Sequence, residues 1–297
     1  MRLIMAGLFA LAATATSLLP GPAGAAETIK IGSKNFTEQF IVAELYAGAL
    51  EAAGYRVERK INLGATLVAH EALRTGAIDL YPEYTGTGIL AVMKATGKQD
   101  SDPRKVFEQV KSFYEREFNL TWLPPSRVNN GYAIVVRPET AQEHGLKTLS
   151  DLGRVSAGLK LGAGSEFFDR YDGLPGLKEV YGISFAQTRQ FAALRLRYEA
   201  LAQKQVDVAN GFSTDWQIAA EKFRSLEDDK NLFPPYELAP VIRVELTRDS
   251  KLVETLARVN ALIDNPTMQE LNRQVEVDQR EPRRVASDFL KQKGLSK

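Results

Sequence analysis

The chain has 297 residues, with 38 Lys and Arg against 37 Asp and Glu, two His and no Cys, and 44% of it is hydrophobic. That length and apolar content suit one large or two medium α/β units with substantial cores, and the near-zero charge argues against a nucleic-acid partner. The lack of cysteine excludes disulfides and thiolate metal sites, and two histidines leave little for zinc or acid–base chemistry.

Met1-Arg2, the apolar run Leu3 to Leu19, the breakers Pro20-Gly21-Pro22 and the small-x-small Ala23-Gly24-Ala25 read as an export leader cleaved after Ala25. A signal anchor is the alternative, but the run is short for a membrane span. Residues 1–25 carry one Arg and no acid, so the expected mature chain has a formal charge of zero. A freely soluble, periplasmic and monomeric protein is expected.

Strand and helix signals then alternate. Ile29–Gly32 is a strand, and Phe40–Ala53 is a helix with Ile41, Leu45 and Ala49 at helical spacing. Tyr55–Ile61 is a strand, Ala65–Thr75 a helix, Ile78–Tyr81 a buried strand and Pro103–Phe118 a long helix, followed by the apolar strand Tyr132–Val136. The second half repeats the scheme: strand Leu159–Gly162, a helix near Phe167, strand-like Ile183–Gln187, helix Leu194–Lys204 and strand Val206–Ala209. Such alternation predicts an α/β fold with mostly parallel sheets flanked by helices.

Glu71-Ala-Leu-Arg-Thr-Gly-Ala-Ile-Asp79 and Glu199-Ala-Leu-Ala-Gln-Lys-Gln-Val-Asp207 align without a gap, and the match runs on to pair Tyr84 with Phe212. Two comparable halves would each raise one aromatic from the carboxyl end of a strand, where open α/β sheets bind ligands. A chance match of two ordinary helix–strand units is the alternative. Pro124-Pro125 and Pro234-Pro235 each precede a strand-like run and are read as paired crossings between lobes. Residues 26–128 and 234–297 then form one lobe and 129–233 the other, around a hinge.

Catalysis has little support: His70 and His144 lie in unlike contexts, and Gly162-Ala-Gly-Ser165 lacks the rest of a phosphate loop. Asp169, Asp172, Asp228 and Asp229 read as solvated turn acids. No cofactor or metal is expected. Tyr84, Tyr132, Phe212 and Tyr236 stand beside loops or strand ends, and rings gathered around one point make a box for a cation that lacks hydrogen-bond donors; ordinary core packing is the alternative. Lys34, Thr87 and Arg170 are polar turn residues that could meet an anion.

The runs Gly32-Ser-Lys-Asn-Phe-Thr-Glu-Gln39, Asp79-Leu-Tyr-Pro-Glu-Tyr-Thr-Gly-Thr87, Glu166 to Gly176, Phe212-Ser-Thr-Asp215, Glu227-Asp-Asp-Lys230 with Pro234-Pro-Tyr236, and Phe289 to Gly294 resemble the substrate-binding proteins of osmoprotectant ABC importers. The resemblance covers the mature chain in order. It implies a two-lobed, type II periplasmic-binding-protein fold, a quaternary-amine ligand (glycine betaine, choline or carnitine), and a membrane permease with its ATPase as partners. It also implies a cage of Tyr84, Tyr132, Phe212 and Tyr236, with Lys34, Thr87 and Arg170 directed to a carboxylate and Asn130 lending its backbone. Phe212 departs from the family tyrosine and loses a hydroxyl. An enzyme or a sensor module on the same scaffold remains the alternative class.

Overall fold

A computed structural model describes residues 28–296; the expected leader lies outside them. Among the described residues, ten strands form two five-stranded sheets. The first is built from β1 (Thr28–Lys34), β2 (Arg56–Gly64), β3 (Leu80–Tyr84), β4 (Leu120–Trp122) and β10 (Leu238–Arg243). The second is built from β5 (Tyr132–Val136), β6 (Lys160–Ala163), β7 (Gln187–Gln190), β8 (Val208–Phe212) and β9 (Arg224–Ser225). The orders are β2-β1-β3-β10-β4 and β7-β6-β8-β5-β9. In each sheet the first three strands are parallel and the fourth runs against both its neighbours. The two sheets therefore share one topology, and each is mixed with four of five strands in one direction.

Thirteen α-helices, with one short π-helical and two 3-10 helical segments, complete the fold among the described residues: α1 (Thr37–Ala52), α2 (Thr66–Arg74), α3 (Thr85–Thr87), α4 (Pro103–Phe118), α5 (Pro138–His144), α6 (Leu149–Val155), α7 (Glu166–Asp169), α8 (Leu174–Tyr181), α9 (Leu194–Ala202), α10 (Trp216–Ala220), α11 (Ser250–Asn260), α12 (Asn265–Glu276) and α13 (Pro282–Gln292). Local chemistry sets many of the ends. Asp102 caps α4 by accepting from the Arg104 N–H at 2.9 Å, Pro103 occupies its first turn, and Asn119 closes it in the left-handed region at φ 56°.

The sequence match is structural. Helices α2 and α9 and strands β3 and β8 sit at one constant offset, Thr66–Arg74 against Leu194–Ala202 and Leu80–Tyr84 against Val208–Phe212. The two aspartates do the same work. Asp79 accepts from the Lys30 N–H at 2.8 Å and donates its own N–H to the Lys30 carbonyl; Asp207 accepts from the Lys160 N–H at 3.0 Å and donates to the Lys160 carbonyl. Each side chain thus satisfies a backbone donor on the neighbouring parallel strand, which explains why both strands begin two residues later than the apolar pattern predicts.

In the second sheet, period-two alternation divides the core. Ile134 and Val136 face one apolar cluster, with Leu161 and Val208, whereas Ala133 and Val135 face the other, with Tyr198 and Leu201. In the first sheet α1 is buried on nearly all sides, because α11, α12 and α13 close over it. The expected strand at Ile183–Gln187 is corrected to Gln187–Gln190. Ile183 is buried just after the left-handed Gly182 that ends α8, so it is the apolar contact of a helix C-cap. The strand itself is an exposed polar edge that shows no apolar pattern.

The chain passes between the sheets at 123–131 and again at 226–237. The two segments lie side by side, with Asn130 N–H donating to the Tyr236 carbonyl at 3.0 Å and Leu238 N–H to the Val128 carbonyl at 3.0 Å.

Because Asp207 also holds the buried Arg137 guanidinium at 3.1 Å, whereas Asp79 makes no ion pair among the described residues, the two positions should differ in weight. Asp207→Ala should lose about 2–4 kcal/mol of stability, leaving an unpaired buried charge as well as an open donor, and Asp79→Ala about 1–3. Urea unfolding checks this; equal losses would mean that the Arg137 pair contributes nothing.

Candidate ligand-binding site

A cavity of about 540 Å3 lies between the carboxyl ends of the two sheets. All eight residues expected from the sequence line it: Lys34 at the end of β1, Tyr84 and Thr87 at the end of β3, Asn130 and Tyr236 on the crossing segments, Tyr132 at the start of β5, Arg170 after α7, and Phe212 at the end of β8.

Three of the four rings cluster. Tyr132 and Phe212 are cross-strand partners, and their rings stack at 5.4 Å with planes 27° apart. Tyr236 stands 6.3 Å from Tyr132, and Phe167 meets Tyr132 edge-on at 5.0 Å. Gly86 permits this approach, since a Cβ there would come within 2.6 Å of the Tyr236 ring. Tyr84 stands apart and stacks instead on Phe36, at 6.4 Å and 20°. Phe36, half-exposed at the mouth, is an aromatic that the sequence reading did not single out.

The two cations expected to face an anion already have protein carboxylates. Lys34 Nζ lies 2.5 Å from Glu83, both side chains buried, and 4.8 Å from the Tyr84 ring centre. The Nε and Nη2 of Arg170 fork onto Asp172 at 2.9 and 2.7 Å, Nη2 also donates to the Tyr236 hydroxyl at 3.1 Å, and the guanidinium packs over the Tyr132 and Tyr236 rings. Asp172 is fully buried, not the solvated turn acid expected. Breaking such a pair strands a buried charge, at about 3–5 kcal/mol.

Asn130 works through its side chain. Its Nδ2 donates to Glu38 at 2.9 Å and its Oδ1 accepts from the Thr214 N–H at 3.2 Å, while its backbone N–H is taken by Tyr236. Glu38, missed in the sequence, also accepts from the Tyr84 hydroxyl at 2.7 Å and from Asn272 Nδ2 at 2.9 Å. The lining also includes Arg197, Asn210, Asp215, Trp216 and Glu276, none of them expected. The histidines stand elsewhere. His70 is buried edge-on to Tyr114 and Phe118, and burial lowers its pKa; His144 closes α5.

Two topologically equivalent α/β units facing a shared cavity define the class of two-lobed solute-binding proteins. Residues 27–292 match the model of the substrate-binding domain of ABC-type glycine betaine transport systems, and the chain belongs to that family. It is 35% identical over 290 residues to the ergothioneine transport permease/ergothioneine binding protein EgtU of Helicobacter pylori, covering 97% of this chain and 52% of that protein. The chain thus spans about half the length of that relative. It is 36% identical over 282 residues to a glycine-betaine-binding protein of Pseudomonas aeruginosa, covering 91% of this chain and 89% of that one. A solved structure described as a glycine betaine/carnitine/choline ABC transporter superposes with a TM-score of 0.77 at 32% identity, over 90% of this chain and 99% of that chain. Among the described residues no helix is long and apolar enough to cross a membrane.

Asp215 gives the site a pH signature. Burial raises its carboxyl to about 7, although the Tyr198 hydroxyl and the Phe212 N–H, which both donate to Oδ2 at 2.7 Å, oppose the shift. The folded state then holds a proton that the unfolded chain has released above its ordinary value near 3.8, so stability falls as pH rises from about 4 to about 7 and is level outside that window. Asp215→Asn should remove this slope, so its stability relative to the unsubstituted protein rises between pH 4 and pH 7. Urea unfolding at a series of pH values measures it, and parallel profiles would refute the assignment.

Proposed function

We propose that the protein captures a small quaternary-ammonium solute, glycine betaine first, in this cavity and delivers it chemically unchanged to a membrane permease and its ATPase, working in the periplasm. The observation that carries the reading is the convergence of Tyr132, Phe212 and Tyr236 on one wall and Tyr84 with Phe36 on another, around a single cavity. Ring faces attract a cation that has no hydrogens to donate, at about 0.5–2 kcal/mol per good contact. Thr87, Lys34 and Arg170 mark the polar end, and Asn130 ties the rings to the crossing segments. Family membership supports transport rather than catalysis.

A bulkier betaine, carnitine or another cationic metabolite is the second reading. The cavity falls in the range of roughly 300–1,000 Å3 that accommodates drug-sized ligands, and Phe212 brings a ring without a hydroxyl to hydrogen-bond a particular head group.

Residues 26–128 with 234–297, and 129–233, are proposed as the two moving lobes, hinged on the paired segments. A ligand touching both lobes binds the closed form better and shifts the population toward it.

Calorimetric titration against glycine betaine, carnitine, choline, ergothioneine and common amino acids tests the reading. At least one quaternary amine should bind and the amino acids should not. Tyr132→Ala and Tyr236→Ala should each lose about 1–2 kcal/mol of that affinity; full retention in both places the site elsewhere. Small-angle scattering should show a smaller radius at saturating ligand, and an unchanged profile would count against the hinge.

A further inference from the structure

Helix α12 has two working faces. Met268, Leu271 and Val275 pack into the core of the first sheet. Asn265, Gln269, Asn272 and Glu276, at successive intervals of i+4, i+3 and i+4, form a polar stripe along another side of the helix. Every member of the stripe reaches across to the other lobe or to a crossing segment. Asn265 exchanges two hydrogen bonds with the Asn129 backbone, accepting at 2.8 Å and donating at 3.0 Å. Gln269 Nε2 donates to the Ser213 carbonyl at 3.0 Å, and Asn272 Nδ2 to the Thr214 carbonyl at 3.4 Å. Glu276 accepts from the Trp216 indole at 2.8 Å and from Gln217 Nε2 at 3.3 Å. The three outer rungs thus take up, in order, the segment that joins β8 to α10.

The ladder is graded by its distance from the crossing segments. At about 1.5 Å per residue, the Glu276 rung stands roughly 16 Å along the helix from the Asn265 rung. When two bodies turn about the crossing segments, displacement grows with that distance, so the Asn265 rung moves least and the Glu276 rung most. The chemistry suits a contact that forms and releases. Amide and carbonyl groups exchange their partners for water at small net cost, whereas an ion pair or an apolar seam would resist parting more strongly. Three buried oxygens at the seam, Thr214 Oγ1, Gln217 Oε1 and Asn272 Oδ1, have no partner among the described residues. Opening would give each of them water, which further offsets the loss of the rungs.

We propose that the polar stripe of α12 is an interlobe clasp, formed with or without solute, that sets the fraction of the protein in the binding-competent closed form, with Gln269 as a positioning residue. The inference rests on the two-lobed, quaternary-amine reading above. The affinity observed for a solute is its intrinsic affinity reduced by the fraction of protein that is competent, so the clasp acts on every solute alike. Gln269 is the member that isolates this effect. It lies outside the ligand cavity and lines a second crevice with Ile218 and Phe223, so it reaches the solute only through the placement of the lobes.

The test is calorimetric titration of glycine betaine and choline into the unsubstituted protein, Gln269→Ala and Gln269→Met, with small-angle scattering of each ligand-free protein. Both variants remove the donor to Ser213, and the Met variant keeps the length of the stem should the Ala variant fail to fold. Each should weaken the two ligands by the same factor, at least about threefold, the worth of one net hydrogen bond. Each should also enlarge the ligand-free radius, a readout that a residue serving only the packing of α12 would leave unmoved. Unchanged affinities, unequal losses for the two ligands, or an unchanged radius would make the stripe passive packing and overturn the inference while the quaternary-amine reading stands. Failure of the unsubstituted protein to bind either ligand would overturn that reading instead, and the ligand-free radius of the variants would still decide the clasp.

Discussion

Everything at the centre of the molecule depends on one buried carboxylate. Glu38 enters from the first turn of α1, where the helix N-terminus favours a negative charge, and its two oxygens gather donors from three distant places: Tyr84 at the end of β3, Asn130 on a crossing segment and Asn272 on α12. Asn130 extends the network to the Thr214 N–H beside β8. A side chain belonging to the first sheet thereby fixes a ring of the cage, the start of the second sheet and the returning helices together. Buried polar networks of this kind are costly when half satisfied and rigid when complete.

The rest of the site follows the same economy of internal pairing. Arg170 on Asp172 and Lys34 on Glu83 bring charge into an apolar region only where geometry compensates it. Both also border the cavity and pack over its rings, Arg170 over Tyr132 and Tyr236 and Lys34 over Tyr84 and Phe36. Preorganised ring faces lose less freedom on binding than mobile ones. The duplicated topology supplies the frame, with Asp79 and Asp207 setting the register of β3 and β8 and so the height at which Tyr84 and Phe212 emerge.

Much of this was legible in the chain. The gapless match around Asp79 and Asp207 showed the duplication because the same backbone donor must be satisfied in each half, and α4 and β5 were bounded correctly by a Pro after an Asp cap and by a clean apolar run. The eight lining residues were reached through motifs rather than periodicity. Other features could not be read. The edge strand β7 is polar throughout, and the helical spacing of Ile41, Leu45 and Ala49 does not say which helices, α11 to α13, cover the other sides of α1. Glu38 and Arg197 look like any charged residue in the first turn of a helix. Only contacts as remote as Glu38 with Asn272, 234 positions apart, distinguish them.

The chain holds two tryptophans, Trp122 and Trp216. Trp122 is sealed in the core of the first sheet. Trp216 borders the cavity and donates its indole N–H to Glu276 at 2.8 Å, joining α10 to α12 across the gap between the two sheets. One indole is thus insulated and the other rests against a carboxylate at the place where the two halves meet. A change at the cleft would therefore reach the ultraviolet emission of Trp216 and leave that of Trp122 as an internal reference, an optical reporter that needs no attached dye.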